Sequence, residues 1–156
     1  MKRAIFLFAI MLNHLVLAAQ SEQPDKEIAV LIAEREFEFV AESALPLRGR
    51  MIFLSGNYNF VVRPDSIKSN LPYYGRAYQA PTDLSGGGID FISTDFDYNV
   101  KESKKRWTIA IRPKDSSDAT QIYLSISRNG QASLRVTSIN RQSISFHGYI
   151  RKILSK

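Results

Sequence analysis

Cysteine is absent from the 156 residues, so no disulfide, thiolate nucleophile or thiolate metal site can form and folding is independent of redox state. Histidine is nearly absent: of the two, His14 sits in an N-terminal apolar run, which leaves His147. A Ser–His–Asp triad needs that imidazole beside both a serine and a carboxylate, and no G-x-S-x-G turn accompanies it. A zinc site needs three or four His, Cys or carboxylate ligands at close spacing and has nothing to start from. No glycine-rich phosphate loop opens a helix, since the one glycine run, at 86–88, leads into a β-like stretch. Neither a catalytic residue, a metal nor a cofactor is expected from these patterns.

Long apolar runs are missing except at the start. Lys2 and Arg3 precede "AIFLFAIMLNHLVLAA", which ends on the small residues Ala18 and Ala19. This is the pattern of a secretory signal peptide over 1–19, cleaved near Ala18 or Ala19. The run falls short of the ~20 apolar residues of a membrane span, and Asn13 and His14 interrupt it. The expected organisation is a signal peptide at 1–19, a polar spacer at 20–24 and a single β-rich domain with an N-terminal helix at 25–156. The expected location is the periplasm or the exterior, in soluble form, without the cysteine that a lipid anchor requires.

A strong excess of either charge is lacking: charged residues make up an ordinary 23%, and the basic excess is mild. The formal charge of +6 loses the contributions of Lys2 and Arg3 with the signal. The remaining excess gathers in "KESKKR" and the tail "RKILSK", neither interleaved with aromatic residues as a nucleic-acid surface is. No nucleic-acid partner is expected, and no membrane span after signal cleavage.

What is present is alternation. "DKEIAVLIAERE" contains no Gly or Pro; Asp25 can cap a first turn, and Ile28, Leu31 and Ile32 share one face, widened by Val30 and Ala33. From Glu36 the period changes to two, with Phe37, Phe39 and Ala41 against a wet face of Glu36, Glu38 and Glu42. "RMIFLSG", "YNFVVRPD", "GIDFIS", "FDYNV" and "WTIAIRP" continue as short strands. Joining the face of Phe96, Tyr98 and Val100 to that of Trp107, Ile109 and Ile111 requires an even-numbered connection, which 101–106 supply as a basic hairpin tip. In "TQIYLSISRNGQASLRVTS" a two-residue turn would set apolar rows beside polar ones. A three-residue loop at 128–130, with Gly130 left-handed, instead predicts Ile126 opposite Ala132, Leu124 opposite Leu134 and Ile122 opposite Val136. "SISFHGYIR" sends Ile144, Phe146 and Ile150 inward. The fold class is therefore mainly β (α+β): an N-terminal helix packed on a strongly curved or barrel-like antiparallel sheet of about eight or nine strands, closure removing exposed edges.

One stretch stands out for chemistry. "LPYYGRAYQAP" packs three tyrosines and an arginine between two prolines. If extended, it places Tyr74, Arg76 and Tyr78 on one face and Tyr73, Gly75 and Ala77 on the other. An arginine between tyrosines can stack on a ring and offer its planar fork to a carboxylate or phosphate. Two arrangements follow: a small anionic or polar ligand held by Tyr74, Arg76, Tyr78 and Asp90 in the barrel mouth, or a filled core in which Arg76 pairs with an internal carboxylate such as Asp90. The acidic residues Asp90, Asp95 and Asp97 lack the loop pattern of a calcium site.

"FEFVAESALPLRGR", "SNLPYYGRAYQAP", "GGIDF" and "SINRQSISFHGYI" together resemble the domain-of-unknown-function family 4251, exported proteins of Bacteroidetes-type Gram-negative bacteria. The resemblance spans nearly all of the chain after the signal. It implies a compact, mostly β domain of the cell envelope and brings no catalytic residue. Two functional expectations stand: a non-enzymatic module binding a small ligand or an envelope protein, and a carboxylate-dependent hydrolase acting on envelope or dietary glycans or peptides. A pair of carboxyl groups facing each other across a solvent-filled pocket would favour the second.

Overall fold

The computed structural model describes residues 23–78, 87–116 and 118–154. The expected signal peptide lies outside the described residues. Helix α1 (Gln23–Glu34) starts two residues before Asp25, inside the expected spacer, so Asp25 lies in the first turn instead of capping it. Ile28, Leu31 and Ile32 are buried as expected, but Val30 and Ala33 are exposed, which leaves a narrow apolar stripe. The helix stops in a Schellman motif: Glu36 N–H donates to Leu31 O (3.1 Å) and Arg35 N–H to Ile32 O (3.3 Å), with Arg35 left-handed at φ 55°.

Ten strands follow among the described residues: β1 (Phe37–Pro46), β2 (Ile52–Phe53), β3 (Asn59–Val62), β4 (Ile67–Leu71), β5 (Ile89–Ser93), β6 (Phe96–Glu102), β7 (Arg106–Pro113), β8 (Gln121–Ser127), β9 (Gln131–Thr137) and β10 (Ile144–Arg151). All pairs are antiparallel, in the order β5-β4-β3-β1-β10-β9-β8-β7-β6, and the two-residue β2 extends the β3 side of β1. The two outermost strands of this order are consecutive in sequence and point the same way. With only Thr94 and Asp95 between them, β5 and β6 form one bent strand whose first half pairs with β4 and whose second half pairs with β7, so the sheet nearly closes into a barrel. The Asp115 carboxylate accepts both amides at the bend, Thr94 N–H at 3.0 Å and Asp95 N–H at 3.3 Å.

The β8–β9 register is the expected one, Ile126 against Ala132, Leu124 against Leu134 and Ile122 against Val136, with Gly130 at φ 86°. The β6–β7 faces also meet with an even connection, but pairing runs on to Glu102 opposite Trp107, so the tip is shorter than 101–106. One strand is not visible in the sequence pattern, and one expectation needs correction. "IKSNL" is strand β4, whose central inward residue is a serine; buried Ser69 donates to Ile89 O at 2.6 Å, and the polar centre hides the period. Beyond Leu71, which ends β4, "LPYYGRAYQAP" is not a strand over its described residues: it makes one bridge, Ala77 with Arg141.

The barrel interior is packed with side chains. Phe37, Phe39, Phe60 and Phe146 are fully buried beside Ile109, Ile111, Leu124 and Leu134. Gly148 faces Ala41 across the β10–β1 seam, and a Cβ there would overlap the Val40 carbonyl, so only glycine lets these strands meet. A bulge at Glu42 follows on β1.

Strand polarity gives the barrel two ends. At one, α1 lies against the β6–β7 and β8–β9 tips, with Ile28 against Gly130 and the Tyr98 hydroxyl 3.5 Å from Ile32 O. At the other, the β1–β2, β4–β5, β7–β8 and β9–β10 connections meet.

Candidate functional site

Alternation on five neighbouring strands builds an open cleft on the outer wall. Inward residues Phe37, Phe39, Phe60, Val62 and Ile67 pin the strands to the core, which turns their alternate residues outward. Register then lines these up in rows. Ile92, Lys68, Val61, Glu38 and Arg151 form one row across β5, β4, β3, β1 and β10; Asp90, Asn70, Asn59, Val40 and Tyr149 form the next. With Arg63 at one border and Ile153 and Leu154 of the tail as a wall, Glu38, Asn59, Val61, Lys68, Asn70, Asp90 and Arg151 of these rows line an open cleft of about 930 Å³.

Glu38, expected on a wet face, is only 8% exposed at the floor of this cleft. It survives there because it is fully paired: Asn59 Nδ2 donates to Oε1 at 2.6 Å and Arg151 Nε donates to Oε2 at 2.9 Å. The bond to the Glu38 carboxylate holds the Arg151 guanidinium above its ordinary range. Arg63 and Lys68 make no ion pair with a described residue. The cleft thus carries two uncommitted cations beside a neutralised pair and Asp90, an arrangement suited to an anionic, hydrogen-bonding guest.

The structure separates the expected site residues. Asp90 lines this cleft, whereas Tyr74, Arg76 and Tyr78 do not. All three of those side chains are exposed at the far end of the barrel, and Gln79 and Pro81 lie outside the described residues. The arginine that stacks on a tyrosine in a buried setting is Arg141, its guanidinium 5.4 Å from the centre of the Tyr73 ring. Its side chain is 8% exposed; it donates to Gly87 O at 3.0 Å and to Gly88 O, and lies 3.4 Å from Asp118 Oδ1. The Tyr73 hydroxyl is shared between Arg76 O (2.9 Å) and Gln142 O (3.1 Å). Burial pushes that hydroxyl above its ordinary pKa, the contact with Gln142 and the nearby Arg141 charge opposing.

Glu38 and Asp90 are the carboxylates that share the cleft, but β3 and β4 stand between their strands, which puts the backbones roughly 14 Å apart at ~4.8 Å per strand. Glycoside cleavage uses carboxyl groups about 5–9.5 Å apart. Glu38 is also committed to Arg151, so this pair does not make an acid and base. No group of His, Asp or Glu among the described residues is arranged to hold a metal ion. Sequence reasoning missed Glu38, Arg151, Arg63 and Lys68 because each is an outward residue of an alternating strand, with nothing local to distinguish it from a solvated one.

The family model for DUF4251, a domain of unknown function, matches residues 19–150. A solved structure of a DUF4251 family protein from Bacteroides eggerthii DSM 20697 superposes with a TM-score of 0.61 at 12% identity, over 84% of this chain and 89% of that one. At that identity the likeness concerns the fold. No curated protein matches the chain. No helix among the described residues is long and apolar enough to cross a membrane.

Proposed function

Because the chain belongs to the DUF4251 family, whose description assigns no activity, we propose from its own residues that it is an exported, non-enzymatic binding module of the cell envelope. It takes a small carboxylate- or phosphate-bearing molecule in the outer-wall cleft. One observation carries this reading: Arg63 and Lys68 border a cleft of about 930 Å³ without an ion-pair partner among the described residues, while Glu38 is already neutralised by Arg151. Asn59, Asn70 and Asp90 supply hydrogen-bonding groups that orient a polar guest. Asp90 is retained from the sequence-based site; Tyr74, Arg76 and Tyr78 belong to another surface.

The test is calorimetric titration of the protein with a panel of phosphorylated and carboxylated sugars and short acidic peptides. At least one is expected to bind, with Arg63→Ala/Lys68→Ala weakening it by roughly tenfold or more and shifting its salt dependence. Failure of the whole panel, or equal affinity in the double variant, rejects the proposal.

A further inference from the structure

At the far end of the barrel the chain exposes apolar side chains that the fold has no use for. The turn between β1 and β2 reads "LPLRGRMIF". Phe53 is 82% exposed, and pairing with Ser43 turns it onto the outer wall, the face that Leu45 also shares. Met51 lies one pleat away, and Leu47 is exposed on the same turn. Arg48 and Arg50 alternate with these residues and make no ion pair with a described residue. Two neighbouring connections at this end add to the exposed surface: Ile139 is 77% exposed on the β9–β10 connection, and Tyr74 and Arg76 are exposed after β4. The described acidic groups around the adjoining connections are engaged elsewhere. Asp118 faces Arg141, Asp95 and Asp97 hold Lys114, and Asp115 accepts the amides of the β5–β6 bend.

We propose that this end of the barrel docks on an anionic lipid surface, with Leu47, Met51 and Phe53 entering the headgroup boundary and Arg48 and Arg50 meeting phosphates. Charge complementarity singles out that occupant. Arginines alternate with apolar residues on one turn, so the same short segment offers both the insertion and the phosphate contacts of an interfacial anchor. The apolar residues stand on separate connections, which a fluid interface accepts without a matched partner surface, and Tyr74 suits the headgroup layer. This docking is independent of the cleft: Arg63, in the turn after β3, and Lys68, on β4, lie near the helix end, and a cleft without a ligand leaves it untouched.

The test is co-sedimentation of the exported, processed chain with vesicles of mixed phosphatidylglycerol and phosphatidylcholine, against phosphatidylcholine alone. Binding is expected on the mixed vesicles and to fall as salt rises. Arg48→Gln and Arg50→Gln are each expected to lower affinity about fivefold. Met51→Asp/Phe53→Asp is expected to abolish binding while keeping the wild-type melting curve, because both side chains are exposed, and Arg63→Ala/Lys68→Ala to bind like wild type. No co-sedimentation, or unchanged binding by the aspartate variant, overturns the proposal. So does a concentration-dependent dimer in sedimentation velocity that the aspartate variant loses while vesicles capture neither protein, since the occupant is then a second copy of the chain.

Discussion

The two ends of the barrel are closed by the same pair of chemical groups and by different kinds of backbone. At the helix end the Arg128 guanidinium lies 4.0 Å over the Trp107 ring, donates to Ser103 O and Lys104 O, and reaches Asp25 at 3.3 Å and Glu102 at 2.9 Å. At the far end Arg141 lies over Tyr73 and donates to Gly87 O and Gly88 O. Arg128 remains 29% exposed and ties the first turn of an already formed helix, through Asp25, to the β6–β7 tip. The described residues between β4 and β5 have one bridge, in which Gln142 N–H donates to Arg76 O and Tyr78 N–H to Asn140 O, and no ladder, so side chains supply the remaining bonds: Tyr73 adds one to Arg76 O, and Arg141 takes up the two glycine carbonyls. An arginine stacked on a ring is thus a fastener at one end and a substitute for secondary structure at the other.

That contrast is broken most directly by removing each arginine. Arg141→Met strands two carbonyls and the Asp118 carboxylate, and is expected to cost about 3 kcal/mol in urea unfolding. Arg128→Ala leaves its ion-pair partners in water and is expected to cost clearly less than Arg141→Met, shrinking further in high salt. Equal losses would mean that the ends are held alike.

Alkaline pH sharpens the comparison next. Burial against α1 drives the Tyr98 hydroxyl far above its ordinary range, with Arg35, 4.7 Å over the ring, only partly opposing; Tyr73 is raised too, but less. Both contributions are complete while the unfolded tyrosine is neutral, below about pH 10, and are lost as pH rises through the folded values. Melting followed from pH 9 to 11, bracketing the ordinary tyrosine value of about 10, is therefore expected to fall. Tyr98→Phe should remove more of that fall than Tyr73→Phe, and the reverse order would place the tighter seal at the far end.

The smallest effect belongs to the helix stop. Arg35→Gly relieves a left-handed backbone worth about 1 kcal/mol and gives up a ring contact of similar size, so its stability should stay within about 0.5 kcal/mol of wild type. Arg35→Ala loses the contact without relieving the backbone and should be clearly less stable by the same measurement.

The candidate cleft was legible only in part. Asp90 was singled out, but for a site around Arg76; Glu38 read as one more outward carboxylate, because its burial is created by Arg151 and Asn59, which lie 113 and 21 residues away. Arg141 escaped notice for the same reason: "SINRQS" carries no aromatic residue, and Tyr73 arrives from another part of the chain. The aromatic density of "LPYYGRAYQAP" was real, yet its described part is spent on closing an end and facing solvent.

The sequence by itself determined the helix, most of the strands, the faces they bury and the β8–β9 register, because a two-residue period and a left-handed glycine act over a few residues. Only the tertiary structure decided that β10 pairs with β1, that β5 and β6 are two halves of one closing strand, and that Glu38 and Arg141 are buried and paired. Such matches join segments far apart in the chain. A strand's alternation says which side faces the core, not which distant strand will lie beside it.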